Sequence, residues 1–267
     1  MNPVTAAVLA VLLYVHAVFV IALMRRNNGL ADLAWGGGFV VISLAVGAAT
    51  GWRSPRVVLL AVLFGLWGSR LTAHILTRNR GRGGEDFRYR QWRESWGQWF
   101  VVRSYLQVFL LQGALMVVVG TPILVVGLRS GGRLGVLDFA GSAVWLSGFL
   151  CEAVADWQLL RFKRDPENRG AIMTTGLWRL SRHPNYFGEA LLWWGPFLIA
   201  LSAPYGVWAV VSPLTMGFLL LRVSGIPMLE KKYEGRADFA RYKANTSAFV
   251  PWPPKRSTSN GKRTDAG

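Results

Sequence analysis

Long apolar runs separated by short polar segments set the pattern of this chain. A membrane-crossing helix needs roughly 20 mostly apolar residues. Seven stretches qualify, at about 4–24, 30–50, 57–76, 101–127, 135–160, 186–202 and 205–227. Pro204 leaves a tight turn between the last two. The first stretch, VTAAVLAVLLYVHAVFVIALM, is too long and lacks the charged start of a cleaved leader, so it is expected to stay as an anchor. The expected fold class is all-α: a polytopic membrane protein of seven transmembrane helices, with 1–251 as one membrane domain. Beyond it, 252–267 is rich in Pro, Ser, Gly and charge without apolar periodicity, and reads as a disordered tail. There is no internal repeat, so nothing favours a pocket built from inverted repeats.

Composition agrees. Of 267 residues, 52% are hydrophobic and 16% charged, with a mean hydropathy of +0.30. A soluble domain carries about 25% charged residues. Cys151 is the only cysteine, which excludes a disulfide scaffold. The formal charge is +16, with 13 Trp. A nucleic-acid binder would carry its basic residues on a polar frame, so none is expected as partner. With the N-terminus outside, the inner segments hold Arg25 and Arg26, six Arg over 77–99, six Lys/Arg over 161–185 and nine after 227. The outer segments then hold only Arg53, Arg56, Arg129 and Arg133. The positive-inside rule thus puts the N-terminus outside and the C-terminus in the cytoplasm, and an odd helix count agrees. Arg outnumbers Lys 24 to 6, which fits a GC-rich bacterial genome and a bacterial inner-membrane location.

Ionisable groups within apolar spans cost a few kcal/mol or more and usually face a cavity or a partner. They are Asp32, Arg70, His74, Glu152, Asp156, Glu189 and Arg222. Two readings stand for Asp32: an acid favoured at a helix start, or a carboxyl facing a cavity beside Gly36, Gly37 and Gly38. Those glycines let a helix or ligand approach closely. Arg70 and His74 share a helix face; His74 also fits snorkelling to the interface. Glu152 and Asp156 repel at i,i+4 spacing unless something bridges them. With Arg161 and Lys163 following, they form either a salt-bridge network or a polar wall for a ligand's hydroxyls.

Two basic segments carry more than topology requires. RNRGRGGEDFRYRQWRESW (78–96) interleaves Arg80 and Arg82 with Gly81, Gly83 and Gly84. Anionic-lipid contact accounts for its charge. Arginine beside glycine-exposed backbone N–H is also how a phosphate is gripped. In 161–189, Thr174, Thr175 and Gly176 make a turn before Arg182-His183-Pro184-Asn185-Tyr186, with Pro184 suited to a first helical turn. A topological loop does not need His183, Asn185, Tyr186 and Glu189 within seven residues. Downstream, Arg222 lies in apolar sequence, Pro227 is expected to bend the helix, and Glu230 follows two turns on. FARYKANTSAFVP (239–251) reads as a short helix and a strand-like stop.

SRHPNYFGE with TTGLWR, ADWQ and EKK…YKANTSAFVP resembles the C-terminal half of the steroid 5α-reductase family, whose superfamily includes sterol reductases and isoprenylcysteine carboxyl methyltransferases. NNGLADLAWG and GEDFRYRQWR are similar to its bacterial branch. The resemblance covers nearly the whole chain to about residue 251. It implies a seven-helix membrane reductase binding NADPH from the cytoplasmic side, its cofactor half falling at about 77–99 and 151–251. The family's phosphate and ribose binders fall on Asn79, Arg80, Arg82, Asp156, Arg179 and Asn185, with Arg222 and Tyr233 as later contributors. Arg161, Lys163, His183, Tyr186, Glu189 and Glu230 complete the expected cofactor set. NRGR favours reductase over methyltransferase, as does Glu230-Lys231 in place of paired glutamates. In the steroid reductases a second-helix Glu and a third-helix Tyr polarise the substrate ketone. This sequence offers Asp32 instead of Glu, and its third span has no Tyr.

The expected reaction is hydride transfer to the C=C of an enone in an apolar substrate such as a 3-oxo-Δ4 steroid, entering from the bilayer. The carbonyl-side acid is expected at Asp32, assisted by Arg70 or His74. No metal is assigned, and no protein partner beyond membrane lipids is required. A methyltransferase using S-adenosylmethionine would leave the arginines of 77–99 unexplained, since that cofactor has no phosphate. A non-enzymatic lipid-binding protein would tolerate loss of Asp156 or Asn185.

Overall fold

A helix that is apolar on every face belongs in a core or in lipid. The first helix, α1 (Pro3–Met24), is of this kind. Ala7, Val11, Val15 and Ala22 lie buried along one stripe, while Leu9, Leu13 and Ile21 are exposed on the other face. The structure is a computed structural model that describes residues 1–79, 85, 87–129 and 131–254. Next come α2 (Leu30–Thr50), α3 (Pro55–Asn79), α4 (Phe87–Trp96), α5 (Phe100–Ser104), a π-helical turn Tyr105–Leu110, α6 (Leu111–Val119) and α7 (Thr121–Arg129). Then follow α8 (Val136–Arg164), α9 (Pro184–Ala200), α10 (Val211–Phe218), a second π-helical turn Leu219–Val223, α11 (Ile226–Lys231) and α12 (Ala237–Asn245). Among the described residues there is no β-strand; Ser181 and Ser247 form an isolated parallel bridge.

Among the described residues, six helical segments are long and apolar enough to cross a membrane: Pro3–Met24, Leu30–Thr50, Pro55–Asn79, Arg88–Val119, Val136–Arg164 and Gly206–Lys231. The chain is thus all-helical with the character of a multi-pass membrane protein. The 186–202 stretch forms α9, of 17 residues with Pro196 inside it. At 1.5 Å per residue it rises about 25 Å, short of a hydrocarbon core of about 30 Å.

Two element boundaries differ from expectation. The fourth span was expected at 101–127, but the membrane-length helical run, from α4 through α6, covers Arg88–Val119. Pro122 has no N–H to continue the ladder and instead suits the first turn of α7. Between Arg222 and Glu230 a bent helix was expected; the helix breaks at Ser224-Gly225, and Pro227 sits in the first turn of α11. The 252–267 tail falls, from residue 255 on, outside the described residues.

The chain divides into two compact units, Met1–Phe149 with Ala190–Phe218, and Leu150–Glu189 with Leu219–Gly267. In the first, three successive glycines of α2 meet three different helices. A Cβ on Gly36 would lie 2.5 Å from the Gly68 carbonyl of α3, one on Gly37 2.4 Å from the Tyr14 hydroxyl of α1, and one on Gly38 2.3 Å from Met116 Sδ of α6. Beside them Phe39, Phe64, Trp67 and Trp193 form a fully buried aromatic cluster, with ring centroids 4.9–5.8 Å apart. At the α2–α3 turn Arg56 is buried against Asp138, Nε donating to Oδ1 at 2.9 Å. Its other nitrogens donate to the carbonyls of Gly131 and Arg133.

In the second unit, α12 is tied to the segment before α9. The Tyr242 hydroxyl donates to the carbonyls of Trp178 and Ser181, and Trp178 Nε1 donates to the Ala155 carbonyl at 3.1 Å. The Ser181 hydroxyl donates to the Phe249 carbonyl at 2.7 Å. Burial raises the Tyr242 phenol well above its ordinary range, so it stays a donor.

Candidate active site

In the first unit, Asp32 lies in the first turn of α2, where an acid is favoured by the helix dipole. A second element reaches it. Tyr89 of α4 is buried against Phe19, Ala22, Ala31, Val108 and Phe109, and its hydroxyl donates to Asp32 Oδ1 at 2.8 Å. Arg88 Nη2 lies 2.7 Å from Asp32 Oδ2, and its guanidinium stands 5.5 Å from the Tyr89 ring centroid. Both carboxylate oxygens are therefore engaged, yet the side chain is 26% exposed. Helix α4 is pinned by Glu85, which accepts from Arg93 at 2.9 Å and from the Asn28 backbone N–H at 2.8 Å. The buried Asn28 side chain in turn donates to Ser104 at 2.8 Å. Arg70 and His74 are part-buried one turn apart on α3, with the Arg70 guanidinium 5.9 Å from the Phe149 ring. Asn79 is exposed at the end of α3, and Arg80 and Arg82 lie outside the described residues.

Sequence reasoning missed Tyr89 and Arg88 because the 78–96 segment was taken for a basic loop. The signal was present: Tyr89, Trp92 and Trp96 recur at helical spacing, and Trp92 and Trp96 stack at 5.2 Å.

In the second unit, Pro184 opens α9 as its fixed φ favours. Asn185, on the same turn, donates from Nδ2 to Asp156 Oδ1 of α8 at 3.0 Å. Its Oδ1 is buried with no hydrogen-bond partner. A Cys151 Sγ contact to the Pro184 carbonyl at 3.4 Å holds the same junction. His183 stacks on Tyr186, rings 5.6 Å apart and 7° from parallel. Its Nε2 lies 3.3 Å from Glu230 Oε1. The Glu230 carboxylate also takes Arg182 Nε at 2.8 Å and Lys243 Nζ at 3.2 Å. Arg182 is further bound to the Thr246 carbonyl at 2.6 Å. Burial pushes the His183 pKa below its ordinary value and the neighbouring Arg182 charge adds to this, outweighing the hydrogen bond and charge of Glu230.

The remaining expected residues divide by environment. Lys163 and Tyr233 line, with His183 and Glu230, a cavity of about 110 Å³ walled by Phe162, Trp178 and Phe239. Tyr233 stacks on Phe239 at 5.3 Å. Arg161 lies over Trp157 at 5.7 Å and lines a more open cavity of about 350 Å³ with Gln158 and Thr175. Leu177 N–H donates to Gln158 Oε1 there, at 3.0 Å. Arg179 is exposed at the end of a 3₁₀ turn, Gly176–Arg179. Glu189 is half-buried on α9. Arg222, expected in an apolar span, is exposed on the π-helical turn just before the Ser224-Gly225 break. Among the described residues no group of three or more His, Cys, Asp or Glu could hold a metal ion.

Comparison with known proteins gives a family but no characterised relative. The model of a family described as a protein of unknown function, DUF1295, matches residues 18–246. An uncharacterised protein of Schizosaccharomyces pombe is 25% identical over 226 residues, covering 76% of this chain. The chain spans 66% of that protein's length. No solved structure matches.

Proposed function

Because the chain belongs to DUF1295, a steroid 5α-reductase-like family, we propose that it is an NADPH-dependent membrane reductase of enone C=C bonds. Its substrate is an apolar molecule, best represented by a 3-oxo-Δ4 steroid that enters from the bilayer. The observation that supports this reading most is the Asp32–Tyr89 pair, 2.8 Å apart. It supplies the carboxyl and phenol that the steroid reductases use on a ketone, with the tyrosine on α4 instead of the third span.

The second unit fits the cofactor by its donor set. The buried, partnerless Oδ1 of Asn185 is an acceptor that a ribose hydroxyl would satisfy. Asp156 orients that amide, and the arginines and Lys163 supply charge for phosphates. NADPH, when bound, supplies the hydride for the substrate's β-carbon. The protein's own work is to polarise the carbonyl and deliver the proton. Arg88 balances Asp32 and fixes it against Tyr89. The phenol O–H turns from the carboxylate toward the substrate oxygen as negative charge develops there. A proton from water then adds at the α-carbon as the enolate collapses to the ketone, and the Tyr89 O–H returns to Asp32, so one hydride and one proton complete the addition. The proposed setting is a bacterial inner membrane with the basic segments cytoplasmic, which requires α9 to cross as a seventh span, its roughly 25 Å met by local thinning of the bilayer.

The test uses purified protein in detergent with NADPH and a 3-oxo-Δ4 steroid. Wild type is expected to oxidise NADPH in step with enone loss. Tyr89→Phe and Asp32→Asn should each slow turnover by about 10²–10³ while NADPH affinity stays nearly unchanged. Unchanged turnover in both variants would defeat the carbonyl assignment. Binding of S-adenosylmethionine instead of NADPH would transfer the protein to methyl transfer.

A further inference from the structure

The end of the first unit where α1 begins, α2 ends and α3 begins carries positive charge that no carboxylate among the described residues balances beyond Arg56. Four arginines stand in its turns and at its helix ends: Arg53, Arg56, Arg129 and Arg133. Arg56 is accounted for by its buried pair with Asp138, whose Oδ2 also accepts the Gly135 N–H at 2.7 Å. That acid is therefore used up. Arg53 and Arg129 are instead exposed and line one cavity of about 440 Å³ with Thr50 and Ser54. Pro3 and Leu128 contribute apolar walls, and among the described residues no carboxylate borders it.

We infer that this cavity is a headgroup site for an anionic phospholipid, the phosphodiester held between Arg53 and Arg129. The observations point to a phosphate in three ways. Two guanidiniums offer paired N–H donors of the geometry a phosphate accepts. The cavity opens beside the N-terminal turn of α3, the positive end of a 25-residue helix. The site also lies at the ends of three helices of membrane length, where headgroups sit. Exposed Trp52 and Leu128 flank it, suited to the interfacial layer. Acyl chains of the bound lipid would run along the exposed apolar faces of α1 and α3. The site stands apart from the proposed reductase chemistry and does not depend on it.

The experiment is lipid retention and thermal unfolding of the full chain in detergent, measured for wild type and for Arg53→Gln/Arg129→Gln. Native mass spectrometry after exchange into phosphatidylglycerol should show retained lipid on wild type, with affinity about tenfold or more weaker in the double variant. Phosphatidylglycerol should raise the wild-type unfolding midpoint, and phosphatidylcholine or inorganic phosphate should not. Arg25→Gln/Arg26→Gln, which removes exposed charge elsewhere in the unit, should retain phosphatidylglycerol as wild type does. Equal retention in the Arg53/Arg129 variant, or equal loss in the Arg25/Arg26 variant, overturns the proposal. Equal stabilisation by inorganic phosphate overturns the lipid assignment and leaves a soluble-anion site. Should the double variant misfold, Arg129→Lys serves in its place, expected to weaken retention by loss of the bidentate fork while keeping the charge.

Discussion

At Glu230 three segments meet: Arg182 and His183 before α9, the residue itself on α11, and Lys243 on α12. The Arg182 and Glu230 side chains are only 7% and 13% exposed. Removing one member of such a pair strands the other charge, which typically costs about 3–5 kcal/mol. Glu230→Gln is therefore expected to lower unfolding stability by roughly 3 kcal/mol, read from denaturant or thermal unfolding in detergent. His183 gives a pH signature. Its pKa is held below the ordinary value by burial, with Arg182 and Glu230 facing it and Tyr186 stacked on it. The unfolded chain then binds a proton that the folded chain does not. This contribution is fully present above a pH of about 6.5, the unfolded imidazole value, and is lost as pH falls toward the lower folded value. An unfolding midpoint followed from neutral to mildly acid pH should drop in wild type and drop less in His183→Gln. Parallel curves would remove His183 from the account.

Helix α2 shows how an element is specified by what it must touch. Gly36 and Gly68 face each other backbone to backbone, so a methyl on either would collide with a carbonyl that cannot swing away. Gly36→Ala is expected to destabilise by about 1–3 kcal/mol, the usual range for overpacking. Gly65, one turn earlier on α3, has nothing within 4 Å of its added Cβ. Gly65→Ala should be neutral or stabilising by up to about 1 kcal/mol, since alanine is the better helix former. Comparing the two unfolding midpoints tests the contact and not glycine chemistry in general. On α4 the argument runs through amphipathicity. Tyr89, Trp92 and Trp96 share one face, while Arg90 and Glu94 are exposed on the other. That split seats the helix and carries the Tyr89 hydroxyl to Asp32.

For the whole molecule, the parity of membrane crossings decides on which sides the termini lie. Six crossings put both termini on one side of the membrane, and a seventh by the 17-residue α9 puts them on opposite sides. We expect opposite sides, with the C-terminal segment cytoplasmic. Cys151 is the only native thiol, so a Cys151→Ser background allows single cysteines at Asn2→Cys and Asn245→Cys. In intact cells an impermeant thiol reagent should label position 2 and not position 245. After permeabilisation it should label both. Labelling both in intact cells would make α9 a non-crossing helix and overturn the charge-based orientation.

Membrane character was legible in the sequence because lipid solubility is a property of some 20 consecutive residues, as α1 to α3 show. So was the start of α9, since Pro184 acts through its own φ and its missing N–H. The GGG run of α2 announced close approach, but only the fold assigned its three partners. The pairings that make up the candidate site lay beyond the sequence. Tyr89 meets Asp32 across 57 residues and Arg182 meets Glu230 across 48. Periodicity tells which side chains share a face. It does not tell which faces meet, because that follows from how several helices pack at once. The breaks at Gly120 and Ser224-Gly225 had the same cause, local backbone chemistry acting inside stretches whose hydropathy reads as continuous. Hydropathy determined where the chain enters lipid; tertiary packing decided which polar groups face one another once it is there.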